Sequence, residues 1–127
     1  MDAARSPLFS ALPERLDAFH WHGDTFTLPD GALHAARSAA CEHQAFSWGD
    51  RVAALQFHPE MTPSIASALV EIDAADLAHG GSCIQRPTEI LAPPARFEAM
   101  RPVLWDVLDR LTAISAQSTG PLSFGQA

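Results

Sequence analysis

The chain has 127 residues, 47% of them hydrophobic and 18% charged, the size and balance of one folded domain and not of a disordered segment. Its formal charge is −7 and its eight basic residues are scattered, so no patch is available to neutralise phosphates and nucleic acid is not an expected partner. No apolar run approaches the roughly 18 residues that span a bilayer, so no membrane partner is expected either.

Residues 1–9 lack the apolar core of a signal peptide, which makes the cytoplasm the expected location. Cys41 and Cys83 have neither an export signal nor Cys-x-x-Cys spacing to support a disulfide, and they read as free thiols. A chain of this length buries roughly two-thirds of the surface it exposes when unfolded, so one core is expected.

Before residue 16 there is only a short turn around residues 6–12. Residues 16–22, 24–28, 32–38, 44–48 and 51–57 each have strand length and are separated by turn residues. Pro29-Asp30-Gly31 is a turn signal, and Gly49-Asp50 between two runs with apolar residues reads as a tight hairpin. Val52, Ala54 and Gln56 alternate with Ala53, Leu55 and Phe57, so both faces of the last strand are mostly apolar. That pattern predicts a buried, central strand.

Thr62-Pro63 is a helix start, with a hydroxyl for the cap and proline at the first helical position. Ile65, Leu69, Ile72 and Leu77 recur at helical spacing until Gly80-Gly81 stops the pattern. A second helix is expected over residues 96–114, with Phe97, Met100, Leu104, Val107, Leu108 and Leu111 on one side. Pro102 either kinks it or starts it afresh. Residues 117–127, rich in Ser, Thr and Gly, read as a loose end.

The residues most suggestive of chemistry are Gln56-Phe57-His58-Pro59-Glu60, at the end of one predicted strand and just before a helix. Strand ends in α/β sheets are where catalytic groups project into a crevice. Proline between His58 and Glu60 stiffens the turn. A carboxylate bound to one imidazole nitrogen fixes the tautomer and leaves the other free to move protons, the logic of a His-Glu general-base pair. The same residues also suit a plain turn.

At this point the chain resembles the class I glutamine amidotransferases, the family that includes the amidotransferase domain of GMP synthetases. Phe19-His20-Trp21-His22-Gly23-Asp24-Thr25-Phe26 and Leu28-Pro29-Asp30-Gly31-Ala32 look like its substrate-side loop and hairpin. The likeness continues through Ser38, Cys41 and Gln44-Ala45-Phe46 to Gln56-Phe57-His58-Pro59-Glu60. In that family a cysteine thiolate attacks the side-chain amide of glutamine, ammonia leaves and the thioester is hydrolysed. The resemblance implies proton transfer by His58, orientation of that ring by Glu60, and a place beside the glutamine backbone for Trp21, His22, Gly23 and Asp24. It implies no cofactor.

One departure bears on activity. The family's nucleophile sits on a Gly-x-Cys-x-Gly elbow upstream of the His-Glu pair, and the chain has no such motif. Cys41 occupies a position where relatives often carry a non-catalytic cysteine. Gly81-Ser82-Cys83-Ile84 resembles half an elbow, yet it follows a helix and comes after His58. A competing reading takes His20-x-His22-x-Asp24 as the spacing of a zinc hydrolase, because residues two apart on a strand face one side. His34, His43 and His79 read as surface residues without convergent partners.

The expected fold is therefore α/β, a strand-rich first half followed by two helices. It corresponds to the C-terminal half of a flavodoxin-like class I glutamine amidotransferase domain, with residues 1–127 forming one partial domain. Expected partners are a second copy in a homodimer, and either the missing half of the domain or a synthetase. The alternative to a glutamine-hydrolysing piece is a non-catalytic oligomeric scaffold.

Overall fold

The computed structural model describes residues 2–118. Three strands, β1 (Leu33–Ala36), β2 (Ala45–Trp48) and β3 (Val52–Leu55), form an antiparallel sheet in the order β1-β2-β3. Four helices follow: α1 (Pro63–Ile72), α2 (Ala74–Ala78), α3 (Pro87–Ile90) and α4 (Ala95–Ser118). Among these residues no helix is long and apolar enough to cross a membrane.

The turns form where their residues demand them. The Ala32 N–H donates to the Pro29 carbonyl at 3.0 Å, and Gly31, at φ +81°, takes the positive angle that the third position of a type II turn needs. Gly49, at φ +60°, opens the β2-β3 hairpin, in which Trp48 pairs with Val52 and Ala45 with Leu55. Paired residues share a face. Ala45 and Ser47 are buried on one side, and the Phe26 ring packs edge-on to Phe46, at 5.1 Å, on the other.

The buried side of the sheet is covered from an unexpected direction. Ser6 Oγ accepts from the N–H groups of Leu8 and Phe9 at 3.2 and 3.3 Å. This local turn folds the N-terminal segment back, and both Leu8 and Phe9 are fully buried. They join Ala35, Ala45, Phe57 and Val107 of α4 in one cluster. Arg110 ties α4 to that segment, donating to the Pro7 carbonyl at 3.1 Å and to Ser10 Oγ at 3.2 Å. A second cluster joins Phe19, Met61, Ala66, Phe97 and Met100, with half-buried Ala18 packed against both. The interior is thus two linked clusters where one core was expected.

Four expectations need correction. Residues 16–22 and 24–28 form no strand, because their polar groups are taken up by helices and loops; the Phe19 N–H, for example, donates to Met100 Sδ. The strand expected to be central and buried is β3, which lies at a sheet edge among the described residues, with Val52 40% exposed. The helix expected to run from Pro63 past Leu77 breaks at Asp73, whose carboxylate accepts from Trp21 Nε1 at 3.3 Å. Its inward face is set by Ala66 and Val70, while Ile65 and Ile72 point outward.

Other helix signals behave as written. Thr62 Oγ1 caps α1 by accepting from the Ile65 N–H at 3.3 Å, with Pro63 at the first position. On α4, Phe97, Met100, Val103 and Val107 are buried, whereas Leu108 is 39% exposed and belongs to a different face. Pro102 is accommodated inside this helix, which runs unbroken to Ser118. The first two residues of the expected loose end are therefore helical, and its remainder, 119–127, lies outside the described residues.

Candidate functional site

The chain leaves β3 at Leu55 and turns through Phe57-His58-Pro59-Glu60 into the α1 cap. Phe57 and Pro59 are buried, which anchors the turn from both sides of His58. His58 and Glu60 then project together, with His58 Nδ1 donating to Glu60 Oε1 at 2.8 Å. A carboxylate can only accept, so Nδ1 carries the proton of the neutral ring and Nε2 is left as the basic nitrogen. The imidazole is 39% exposed and the carboxylate 56%, so the pair is reachable by a reacting group.

The position of the turn is set from the opposite segment. The His58 N–H donates to the Phe19 carbonyl at 2.9 Å, and the two rings meet edge to face at 6.4 Å. Phe19 also stacks on Trp21 at 6.0 Å and packs against Phe97 at the same distance. His20 points the other way along this extended segment. Its ring lies 5.6 Å from His22 and 6.1 Å from Phe57. Partial burial, then the nearby His22 and His58, hold the His20 imidazole below the usual histidine range, with Asp17 opposing.

The loop expected beside the substrate is shaped by its own bonds. Trp21 is fixed by Asp73. His22 Nδ1 donates to the Asp24 carbonyl at 3.0 Å, and that carbonyl also accepts from Gln56 Nε2 at 3.4 Å. Gly23 and Asp24 are exposed, and a side chain at Gly23 would meet nothing within 4 Å. Trp21, His22, Gly23 and Asp24 line an open cleft of about 1470 Å³, with the 38–44 loop, α2 and the start of α4 as its other walls. His58 and Glu60 are not among the cleft's lining residues. The structure therefore joins the two predicted groups through Phe19 and Gln56 without placing them in one concavity.

Neither cysteine is bonded to the other, and both are free thiols. Cys41 is half-buried, its Sγ donating to Thr25 Oγ1 at 3.2 Å. Cys83 is exposed in a turn after α2. Among the described residues no group of three or more His, Cys, Asp or Glu side chains could hold a metal ion, so His20, His22 and Asp24 do not converge as the zinc spacing would require. His34 and His43, expected as partnerless surface residues, are half-buried and bonded. His34 Nε2 donates to the Glu42 carbonyl at 2.8 Å and His43 Nδ1 to the Phe26 carbonyl at 2.6 Å.

Phe19, placed by sequence in the substrate-side loop, and Phe97 and Met100, placed on one side of the second helix, were given no part in holding His58. The Phe19 N–H donates to Met100 Sδ at 3.1 Å across 81 positions of chain. Arg96 grips Asp17 through two bonds of 2.7 and 2.9 Å. No local spacing marks such pairs.

The sequence profile of the family described as glutamine amidotransferase class-I matches residues 1–73. A GMP synthase (glutamine-hydrolyzing) from Thermomicrobium roseum is 42% identical over 59 residues, which is 46% of this chain and 11% of that protein. A solved glutamine amidotransferase from Methylobacillus flagellatus superimposes with a TM-score of 0.71 at 28% identity, covering 77% of this chain and 42% of that one. One from Thermotoga maritima gives 0.69 at 30%, covering 82% and 44%. The chain spans less than half the length of each of these relatives. Its fold matches those glutamine amidotransferases over most of its own length.

Proposed function

The chain belongs to the class I glutamine amidotransferase family, and from that premise we propose that it contributes the His58-Glu60 part of a glutamine-hydrolysing site whose thiol comes from outside residues 1–127. One observation carries the reading: the 2.8 Å bond from His58 Nδ1 to Glu60. It leaves Nε2 basic, and a basic imidazole beside a thiol takes the proton from sulfur. The thiolate then attacks the side-chain amide carbon of glutamine, and the C–N bond breaks as His58 returns the proton to departing ammonia. Water activated by the same nitrogen hydrolyses the thioester to glutamate and frees the thiol.

Glu60 is cast as the orienting group. Its carboxylate stabilises the imidazolium that forms in each step. The exposed Gly23-Asp24 stretch is assigned to the α-amino and carboxylate groups of glutamine, since it lines the cleft beside the Phe19 bridge to His58 and a side chain at Gly23 would meet nothing within 4 Å. No cofactor enters this chemistry.

The second reading, a non-catalytic scaffold, is favoured by the position of His58 and Glu60 outside the cleft. Two measurements separate these readings from a misplacement of the chemistry. The folded chain alone is expected to release no ammonia from glutamine. Histidine nitrogen NMR is expected to show His58 as the Nδ1–H tautomer, lost on Glu60→Ala. Ammonia release abolished by Cys83→Ala and indifferent to His58→Ala would overturn the proposal, and an unchanged tautomer in Glu60→Ala would remove the orienting role.

A further inference from the structure

Both backbone polar groups of Phe19 are committed to residues far away in sequence. Its carbonyl accepts from the His58 N–H at 2.9 Å, and its own N–H donates to Met100 Sδ at 3.1 Å. Phe19 is buried, so neither group can turn to water without cost. Met100 is 2% exposed, so its sulfur is held out of water where the Phe19 N–H meets it. A thioether is a weak acceptor, yet among the described residues it is the partner that this buried N–H has, and the N–H depends on it.

The helix that carries Met100 is itself fixed against the same segment. Arg96, one turn earlier on α4, holds Asp17 through two parallel bonds, and its remaining nitrogen donates to the Ala92 carbonyl at 3.1 Å. Phe97 lies between these contacts and packs on the Phe19 ring. The path from α4 to His58 is therefore short: helix, sulfur, peptide group, imidazole-bearing residue. His58 has a second restraint in Glu60, but that bond orients the ring and does not set the height of the turn.

We infer that Met100 is a positioning residue for His58, acting through the peptide groups on either side of Phe19. The inference deepens the reading of His58 as the proton-transfer residue and rests on it for its functional meaning. Its structural content stands apart, since it is read without any assay of glutamine hydrolysis. Leucine at position 100 keeps an apolar side chain of similar volume and removes the acceptor. The Phe19 N–H then loses its partner, and the 17–22 segment shifts until that group finds another.

Met61 provides the comparison, because it is buried in the same cluster and no backbone N–H is bonded to its sulfur among the described contacts. In Met100→Leu, amide hydrogen exchange at Phe19 and His58 is expected to accelerate on the order of tenfold, with Ala66 in α1 unaffected. The His58 Nδ1–H resonance is expected to move in that variant and to stay in place in Met61→Leu. Equal effects from the two variants, or general acceleration that includes Ala66, would mean that Met100 only fills space and would overturn the inference. If Met100→Leu does not fold, the unsubstituted protein still decides: a Phe19 amide exchanging as fast as an exposed loop amide sinks it, and one as protected as Ala66 supports it.

Discussion

His20 and His22 stand two residues apart on an extended segment, with rings 5.6 Å apart and His58 close by. Burial and these neighbours lower the folded-state pKa of His20 from 6.5. Below the unfolded value, the unfolded chain therefore binds a proton that the folded chain refuses. Stability contributed here is lost as pH falls from 6.5 through the folded value and then levels off. Replacing His20 with Gln should flatten the part of the stability profile that falls as pH drops below 6.5, as measured by denaturant midpoints, and an equal loss in both proteins would clear His20 of any part in it. The pairing of His58 with Glu60 was legible in sequence because two residues across a proline have few ways to avoid each other. The support under His58 was not. No spacing in the sequence links Phe19 to Met100, and their bond exists only once α4 has docked.

At the scale of elements, the ends of helices are where a few atoms decide the outcome. Thr62 Oγ1 satisfies the Ile65 N–H at the start of α1, directly after the His58-Glu60 turn. Thr62→Ala should cost about 1 kcal/mol in chemical denaturation, and a change near zero would mean that water replaces the cap without loss. In α3, the Glu89 carboxylate accepts from the Arg86 guanidinium at 2.7 Å and from its N–H at 2.9 Å, and its pKa falls from 4.5 to about 2. Because the folded value is the lower one, this stabilisation is present above 4.5 and fades as pH falls toward about 2. Carboxyl carbon NMR should find Glu89 still ionised well below pH 4.5, and a midpoint at 4.5 would mean that Arg86 does not hold it in solution. Cap, hairpin and type II turn were all readable because each is specified within four residues. The errors fell where a distant partner decided: residues 16–22 have strand composition but give their hydrogen bonds to α4 and the His58 turn, and Asp73 ends α1 while bound to Trp21.

At the scale of the molecule, the order of motifs was enough for the family and the fold, whereas the placement of β3 was not. An apolar pattern on both faces signals burial, but it does not say by what. Here Leu8, Phe9 and α4 cover one side of the sheet, and the β3 edge pairs with nothing beyond β2 among the described residues. Val52-Ala53-Ala54-Leu55 carries no charge, and Trp48 beside it is 55% exposed. Such an edge is a template for strand addition. We propose that a second copy fills it across a two-fold axis, joining two three-stranded sheets into one. The net charge of −7 opposes this only weakly, since screening at physiological salt acts within about 8 Å. Covering Trp48 and Val52 gains part of the roughly 1.5–3 kcal/mol available for each large side chain, and a stable pair needs about 1,000 Å² of buried surface in all. Sedimentation is expected to give twice 13.6 kDa, and Val52→Lys to return the chain to the single mass by placing a charge on the edge. A species of 13.6 kDa at every concentration in the unsubstituted protein would refute the pairing, and it would point to the β3 edge being covered from within the same chain.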